Sequence, residues 1–504
     1  MSEAPLDLVI VGAGFSGLAM AIRARQAGFD RLLVLEKAAG VGGTWRENTY
    51  PGAACDVPSQ LYSLSFAPKS DWSRLFAPQP EIQRYLEGLV AEHGLAPFLR
   101  LETRVERAVF DAAAGLWWVE TDKGVFSARV LVGAMGALHH PALPRLPGLD
   151  SFAGTAFHSA AWDHACDLRG KRVGVIGTGA SAVQFVPEIV DGVAHLTQFQ
   201  RSAPWILPRG DRPVGGGRRR LMRFAPLRRL YRASLFWRRE AAALLGFTRV
   251  STITALAEAG ARRHLAASIA DPDLRERLTP DYRLGCKRVL LSDDYYPALA
   301  RPHASLVTAP IRAVLPHGVV TADGTEHPLD VLIFATGFSP GGSLLRTEVI
   351  GRDGVSLLQA WKDGADAFHG VSVAGFPNLF LLLGPNTGLG HNSVLLMVEA
   401  QVAHVLDALE RLRDHPGDVL EVRPEAQARF RAEVDARMEG SIWTEGGCGS
   451  WYLDRSGRNR TLWPGTVSDY VRGTERMRAE DYSLFDPHRS ADIGQRPSAA
   501  SAPG

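Results

Sequence analysis

Two glycine-rich turns restrict this chain more than any other feature. The first, Gly12-Ala13-Gly14-Phe15-Ser16-Gly17, follows the apolar run Leu8-Val9-Ile10-Val11. The second, Gly177-Thr178-Gly179-Ala180-Ser181-Ala182, follows Val173-Gly174-Val175-Ile176. A strand that turns on glycines into a helix opens a βαβ unit. The N-terminus of that helix offers free N–H groups and the positive end of a dipole to a pyrophosphate. At the same distance past each first glycine, 24 residues (12 to 36 and 177 to 201), stand Glu36 and Arg201. In such a unit that position meets the adenosine ribose. A carboxylate there pairs with a free 2′-hydroxyl, and an arginine suits a 2′-phosphate. The chain is therefore expected to hold FAD on its first unit and NADPH on its second.

The 504 residues leave room for two or three domains, and 46% apolar with 22% charged residues is the composition of a soluble enzyme. A net charge of +2 gives no reason to expect a nucleic-acid partner. Cys55, Cys166, Cys286 and Cys448 are scattered without a CxxC pair. They predict neither a disulfide framework nor a zinc site, and they suit a reducing, cytoplasmic setting. No leader is read at the N-terminus, where the first apolar run is already the strand ahead of Gly12. No run of about 18 apolar residues predicts a transmembrane helix.

The fold class expected is α/β, with two Rossmann-like dinucleotide-binding domains and a helical insertion. Each unit is followed by a further strand running into glycine, Val130 to Gly136 and Val331 to Phe338. An FAD domain is assigned to residues 1–145 and 346–487, and an NADPH domain to 146–212 and 284–345. Between them, 213–283 reads as the insertion. It holds Arg218, Arg219, Arg220, Arg223, Arg228, Arg229, Arg232, Arg238 and Arg239, with Leu221, Phe224, Leu227, Leu230, Tyr231, Leu235 and Phe236 at helical spacing. The insertion reads first as a helical subdomain packed on the core with solvated arginines. A membrane-surface or substrate-access element is the alternative. Residues 488–504, rich in Ser, Ala, Pro and Gly, read as a disordered tail.

Two longer motifs add chemistry. One is Phe152-x-Gly154-x-x-x-His158-x-x-x-Trp162-Asp163; the other is Gly42-Gly43-x-Trp45-x-x-x-x-Tyr50-Pro51-Gly52-x-x-x-Asp56. Taken singly, His158 and Trp162 would be packing residues. Taken whole, the spacings resemble the type I Baeyer–Villiger monooxygenases. The likeness continues through Lys287-Arg288, Ala335-Thr336-Gly337 and Ser450-Trp451-Tyr452, spanning roughly residues 6–470. The resemblance implies an enzyme that takes a small-molecule ketone, dioxygen and NADPH, and forms an ester or lactone through a C4a-peroxyflavin. It implies a catalytic Arg288 oriented by Asp56, which also borders the flavin. Thr44, Trp45 and Tyr62 would meet the flavin, and Val105 would approach the adenine. Lys287, Arg201, Ser202 and Gln200 would surround the NADPH 2′-phosphate, and Trp451 would touch NADP and the substrate region. Phe152, Gly154, His158 and Trp162 would act at the hinge between nucleotide domains. The segment Gly384 to Ser393 is more polar than in cyclohexanone-type members, which leaves the ketone open.

Two further readings stay beside this one. The first is an S- or N-oxygenating flavin-containing monooxygenase. The second is a membrane-recruited flavoprotein with a mainly binding role. A thiol–disulfide reductase is disfavoured because no CxxC follows either turn. No metal site is expected, since His139-His140 lack a third ligand at suitable spacing. Oligomeric state is not read from the chain.

Overall fold

The computed structural model describes residues 4–242, 252–339, 346–454 and 456–487. Two sheets organise it. The larger has eight strands. Its path runs Glu348–Ile350, Val105–Asp111, Leu116–Thr121, Gly124–Gly133, Leu6–Val11, Leu32–Leu35 and Leu99–Arg100, and Leu379–Leu381 also pairs with Gly124–Gly133. The smaller has five parallel strands in the order Ala304–Val307, His195–Phe199, Arg172–Ile176, Val331–Phe334 and Thr155–His158. Both sheets draw on segments far apart in the chain, because a parallel strand needs a crossover before it can pair.

The strands ahead of the glycine turns are buried on both faces, which is why they read as unbroken apolar runs rather than as an alternation. Leu8, Val9 and Ile10 are fully buried, as are Val173 and Val175. Helix Phe15–Gln26 lies between the large sheet and helix Val394–Asp414, and Leu18, Met20 and Ile22 are completely enclosed. Each such side chain contributes about 1.5–3 kcal/mol.

The insertion is helical: Gly216–Met222, Ala225–Ala242, Thr252–Ser268 and Pro272–Arg277. Its apolar stripe divides. Leu235 and Phe236 pack on the larger core, whereas Leu221, Phe224, Leu230 and Trp237 are exposed. No helix among the described residues is long and apolar enough to cross a membrane. The tail read at 488–504 lies outside the described residues.

The cysteines correct the sequence reading. Cys286 and Cys448, 162 residues apart, form a disulfide, while Cys55 and Cys166 are free. Spacing could not reveal this bond. The Arg283 N–H also donates to the Gly446 carbonyl at 2.9 Å, so the segment leading to Lys287-Arg288 lies against the late loop where the bond forms. Closing so long a loop stabilises by about 2–4 kcal/mol. Cys448→Ser is expected to lower the urea midpoint of the non-reduced protein, and dithiothreitol to lower the wild type to the same value. Equal midpoints for both proteins without reductant would show that the bond does not form.

Candidate active site

The two glycine turns adopt the same backbone. Gly12 and Gly177 both have φ +106°, a region that disfavours any side chain. A Cβ at Gly12 would lie 2.6 Å from the Ala134 carbonyl oxygen, and one at Gly177 would lie 2.4 Å from that of Ala335. Each turn therefore passes under the end of the following glycine-terminated strand. Gly14 caps helix Phe15–Gln26 and Gly179 caps Ala180–Ile189, in both cases without a side-chain hydrogen bond. Gly17, Ser181 and Ala182 lie in the first turns of these helices. Their open N–H groups suit an outside pyrophosphate at both places.

Glu36 is buried at the end of its strand. Its carboxylate accepts from the Ala13 N–H at 2.8 Å and the Ala38 N–H at 2.9 Å, which fixes it beside the first turn. Thr44 and Trp45 open the short helix Thr44–Glu47. Trp45 Nε1 donates to the Tyr62 hydroxyl at 3.0 Å, and Phe15 meets the Tyr62 ring edge-on at 5.3 Å. Val105 pairs with Thr121 and packs on the sheet core, two residues past Thr103, whose N–H donates to the Glu36 carbonyl at 2.8 Å.

At the second turn, Lys287 Nζ donates to Ser202 Oγ at 2.8 Å and Thr178 Oγ1 donates to the Ser202 carbonyl at 3.0 Å. Burial first, and the like charge of Arg201 second, push the Lys287 pKa down. Two cations held together this way suit a bound phosphate. Gln200, just past the end of strand His195–Phe199, is buried, and its Nε2 donates to the Arg277 carbonyl at 2.7 Å, so that nitrogen is engaged inside the domain.

Arg288 donates from Nη2 and Nε to Asp56 Oδ2, at 2.5 and 3.1 Å. Burial opposes the Asp56 charge. The adjacent guanidinium more than offsets this, and the carboxyl is held below its ordinary range. In return Asp56 raises the Arg288 pKa. Tyr452 is buried within electrostatic reach of Arg288, and its neighbour Trp451 is 44% exposed.

The Tyr50 motif and the His158 motif meet at the seam between the two sheets. Tyr50 donates to Gln184 Oε1 at 2.9 Å, and Gln184 Nε2 donates to the Ala54 carbonyl at 2.9 Å. Phe185 touches both Tyr50 and Trp162, with centroids at 6.1 and 5.2 Å. His158 ends strand Thr155–His158 and faces Phe338 at 5.9 Å. Phe152 packs on the core beneath the smaller sheet, and Gly154 passes against the Asp330 carbonyl. Among the described residues, no cluster of His, Cys, Asp and Glu is placed to hold a metal ion.

Sequence reasoning missed Gln184, Arg209, Arg239, Glu240 and Tyr452. Glu240 carried one signal, as the first acidic residue after Asp211 in an arginine-rich stretch. It is 1% exposed and accepts from Asn392 Nδ2 (2.9 Å), His391 Nε2 (3.3 Å), the Val467 N–H (3.3 Å), and the N–H and hydroxyl of Ser468 (3.0 Å each). The polar segment Gly384 to Ser393 is thus largely committed to internal bonds. Asn386 binds the Asn459 and Leu462 carbonyls, and Thr387 binds that of Gly384.

Burial would raise the Glu240 pKa, yet the bonds from His391, Ser468, Asn392 and Val467 prevail and pull it from 4.5 to about 2. A depressed carboxyl contributes stability that is full above the unfolded value and fades as pH falls toward the folded one. A shift of this size corresponds to about 3 kcal/mol. Glu240→Gln is expected to be less stable at pH 7 by that order, with the gap closing between pH 4.5 and 2. Thermal unfolding of both proteins across that range checks it, and a constant gap would refute it.

Two glycine turns of the dinucleotide-binding kind, each opening a helix on its own sheet, together with an arginine–carboxylate pair, define an oxidoreductase with two nucleotide domains. Residues 9–211 match the pyridine nucleotide-disulphide oxidoreductase family. The chain is 44% identical over 494 residues to a Baeyer–Villiger monooxygenase of Streptomyces coelicolor, covering 98% of this chain and 95% of that one. It is 48% identical over 480 residues to another from Pseudomonas aeruginosa, covering 95% and 91%. Its fold matches the crystal structure of the OTEMO complex with FAD and NADP with a TM-score of 0.86, at 29% identity, over 96% of this chain and 100% of that one. The chain belongs to the Baeyer–Villiger monooxygenase family.

Proposed function

We propose that this protein converts a ketone, dioxygen, NADPH and a proton into an ester or lactone, water and NADP+. The observation that carries the reading is the Arg288–Asp56 ion pair, which joins the segment after the first nucleotide turn to the segment that also carries Lys287. The Gly12 cradle, Glu36, Thr44, Trp45 and Tyr62 would hold FAD, which when bound and reduced activates dioxygen for transfer of one oxygen atom. The Gly177 cradle, Arg201, Ser202 and Lys287 would hold NADPH. This assigns FAD to the sheet built from both ends of the chain and NADPH to the sheet between them.

Arg288 binds the oxygen of the ketone carbonyl as negative charge grows on it. An arginine stays charged at any working pH, and a preformed donor in a sheltered site needs no reorganisation at the moment of reaction. Asp56 fixes the direction of the guanidinium by taking two of its N–H groups. Tyr50, Gln184, Phe185 and Trp162 form the seam about which the nucleotide units would adjust.

The test uses FAD-loaded protein, NADPH, a panel of cyclic and linear ketones, and isotopically heavy dioxygen. An ester carrying one heavy oxygen, formed in step with NADPH consumption, supports the reading. NADPH consumption matched by hydrogen peroxide, with no ester from any ketone, overturns it.

A further inference from the structure

Three arginines from separate parts of the chain converge on the segment that carries Cys55 and Asp56. Arg288 binds Asp56 directly. Arg209 donates from Nη2 to the Cys55 carbonyl at 3.1 Å, and its Nε is buried without a partner. Arg239 comes from helix Ala225–Ala242 of the insertion. It donates to the His391 carbonyl at 3.0 Å and lies close enough to Asp56, Cys55 and Arg288 to feel their charges.

The charges do not balance at this point. Both bonds to Asp56 come from Arg288. Among the described residues, none is seen in an ion pair with Arg239, and burial makes its charge harder to keep. Holding a second guanidinium in a half-buried place beside the first is unfavourable unless an anion joins them.

The position of Arg239 is nevertheless enforced. The last turn of a helix tends to fray. Here the next residue, Glu240, is clamped by His391 and Asn392 from one segment and by Val467 and Ser468 from another. The backbone at 239 is thereby pinned, and Arg239 Nη1 is held against the His391 carbonyl of the same segment.

We infer that Arg239 is a second cation of the reactive centre, acting with Arg288 on the negative charge that develops at the ketone oxygen, and that Glu240 is the positioning residue that holds it there. The inference rests on the ketone-oxidising reading. It also gives the site a ligand class of its own. A small carboxylate with an apolar tail carries a permanent negative oxygen and should occupy the space between the two guanidiniums.

The probe is hexanoate, titrated calorimetrically into the oxidised, FAD-loaded protein. The wild type should bind it in competition with ketone. Arg239→Met should weaken hexanoate at least tenfold and lower kcat for oxygenation at least tenfold, with KM for ketone and the Kd for NADP+ within about threefold, the scale of a lost charged hydrogen bond. Arg239→Lys should restore part of both losses, and Arg239→Gln, which keeps polarity without charge, should restore neither. The Gln and Lys variants decide the question should the Met variant fail to fold. Glu240→Gln should weaken hexanoate binding with Arg239 still present. Wild-type kcat and hexanoate affinity in Arg239→Gln would overturn the inference. If the wild type makes no ester but hexanoate still requires Arg239, the cation pair stands and the ketone reading falls.

Discussion

Arg288→Met is expected to lower ketone oxygenation by roughly 100- to 1000-fold, the scale of losing one preorganised donor to a developing oxyanion. NADPH should still be consumed, because the Arg201–Lys287 group lies at the other cradle and does not depend on Arg288. The consumed reducing equivalents should then appear as hydrogen peroxide. Asp56→Asn should give a smaller loss in the same direction. It leaves the guanidinium charged but removes the carboxylate that takes two of its N–H groups. The ordering of these two variants is diagnostic. If Asp56 were itself the proton-transferring group and Arg288 only its counter-ion, Asp56→Asn would be the more damaging change. The acid limb of the rate is a second check. With its pKa held below the ordinary carboxylate range by Arg288, Asp56 stays charged wherever an unperturbed carboxylate does. A fall in rate near pH 6 would therefore belong to another group. Steady-state rates with parallel peroxide and ester assays measure all of this.

The parts of this site that were legible in the sequence are those in which one backbone geometry demands particular residues at fixed spacing. Gly12 and Gly177 sit at the same positive φ because each turn must slip under a neighbouring strand, so the glycines announce the turn. The places of Glu36 and Arg201, just past strands Leu32–Leu35 and His195–Phe199, were legible because the βαβ unit fixes how far along the chain its second strand ends. The His158 and Tyr50 motifs were legible as patterns, but their physical sense needed the fold. They are the two sides of one seam, joined through Gln184 and Phe185. What stayed hidden depends on contacts between distant segments. Cys286 and Cys448 are ordinary in the chain and bonded in space. Arg239 is one of nine arginines between positions 218 and 239 until Glu240, buried beside it, shows which part of the helix is anchored. The bond from Gln200 to the Arg277 carbonyl was hidden in the same way, since it joins residues 77 apart.

That internal bond sharpens the second large expectation, which concerns the choice of nicotinamide dinucleotide. Arg201→Ala and Lys287→Ala should each raise the KM for NADPH about 10- to 100-fold while leaving that for NADH nearly unchanged, since a charge-assisted bond to phosphate is worth about 1.5–3 kcal/mol. The double variant should fall short of the product of the two. On the proposed reading both cations act on one phosphate, and their mutual repulsion, which adds to burial in depressing the Lys287 pKa, is relieved when either is removed. Gln200→Ala supplies the contrast. Its amide is bonded to the Arg277 carbonyl inside the domain, so its loss should reduce stability and leave the NADPH-to-NADH ratio alone. Steady-state KM values for both dinucleotides across the four variants separate the alternatives. If Gln200→Ala shifted the ratio as strongly as Arg201→Ala, the phosphate would have to sit on the inner side of the strand. The pairing of Lys287 with Ser202 would then be a structural contact only.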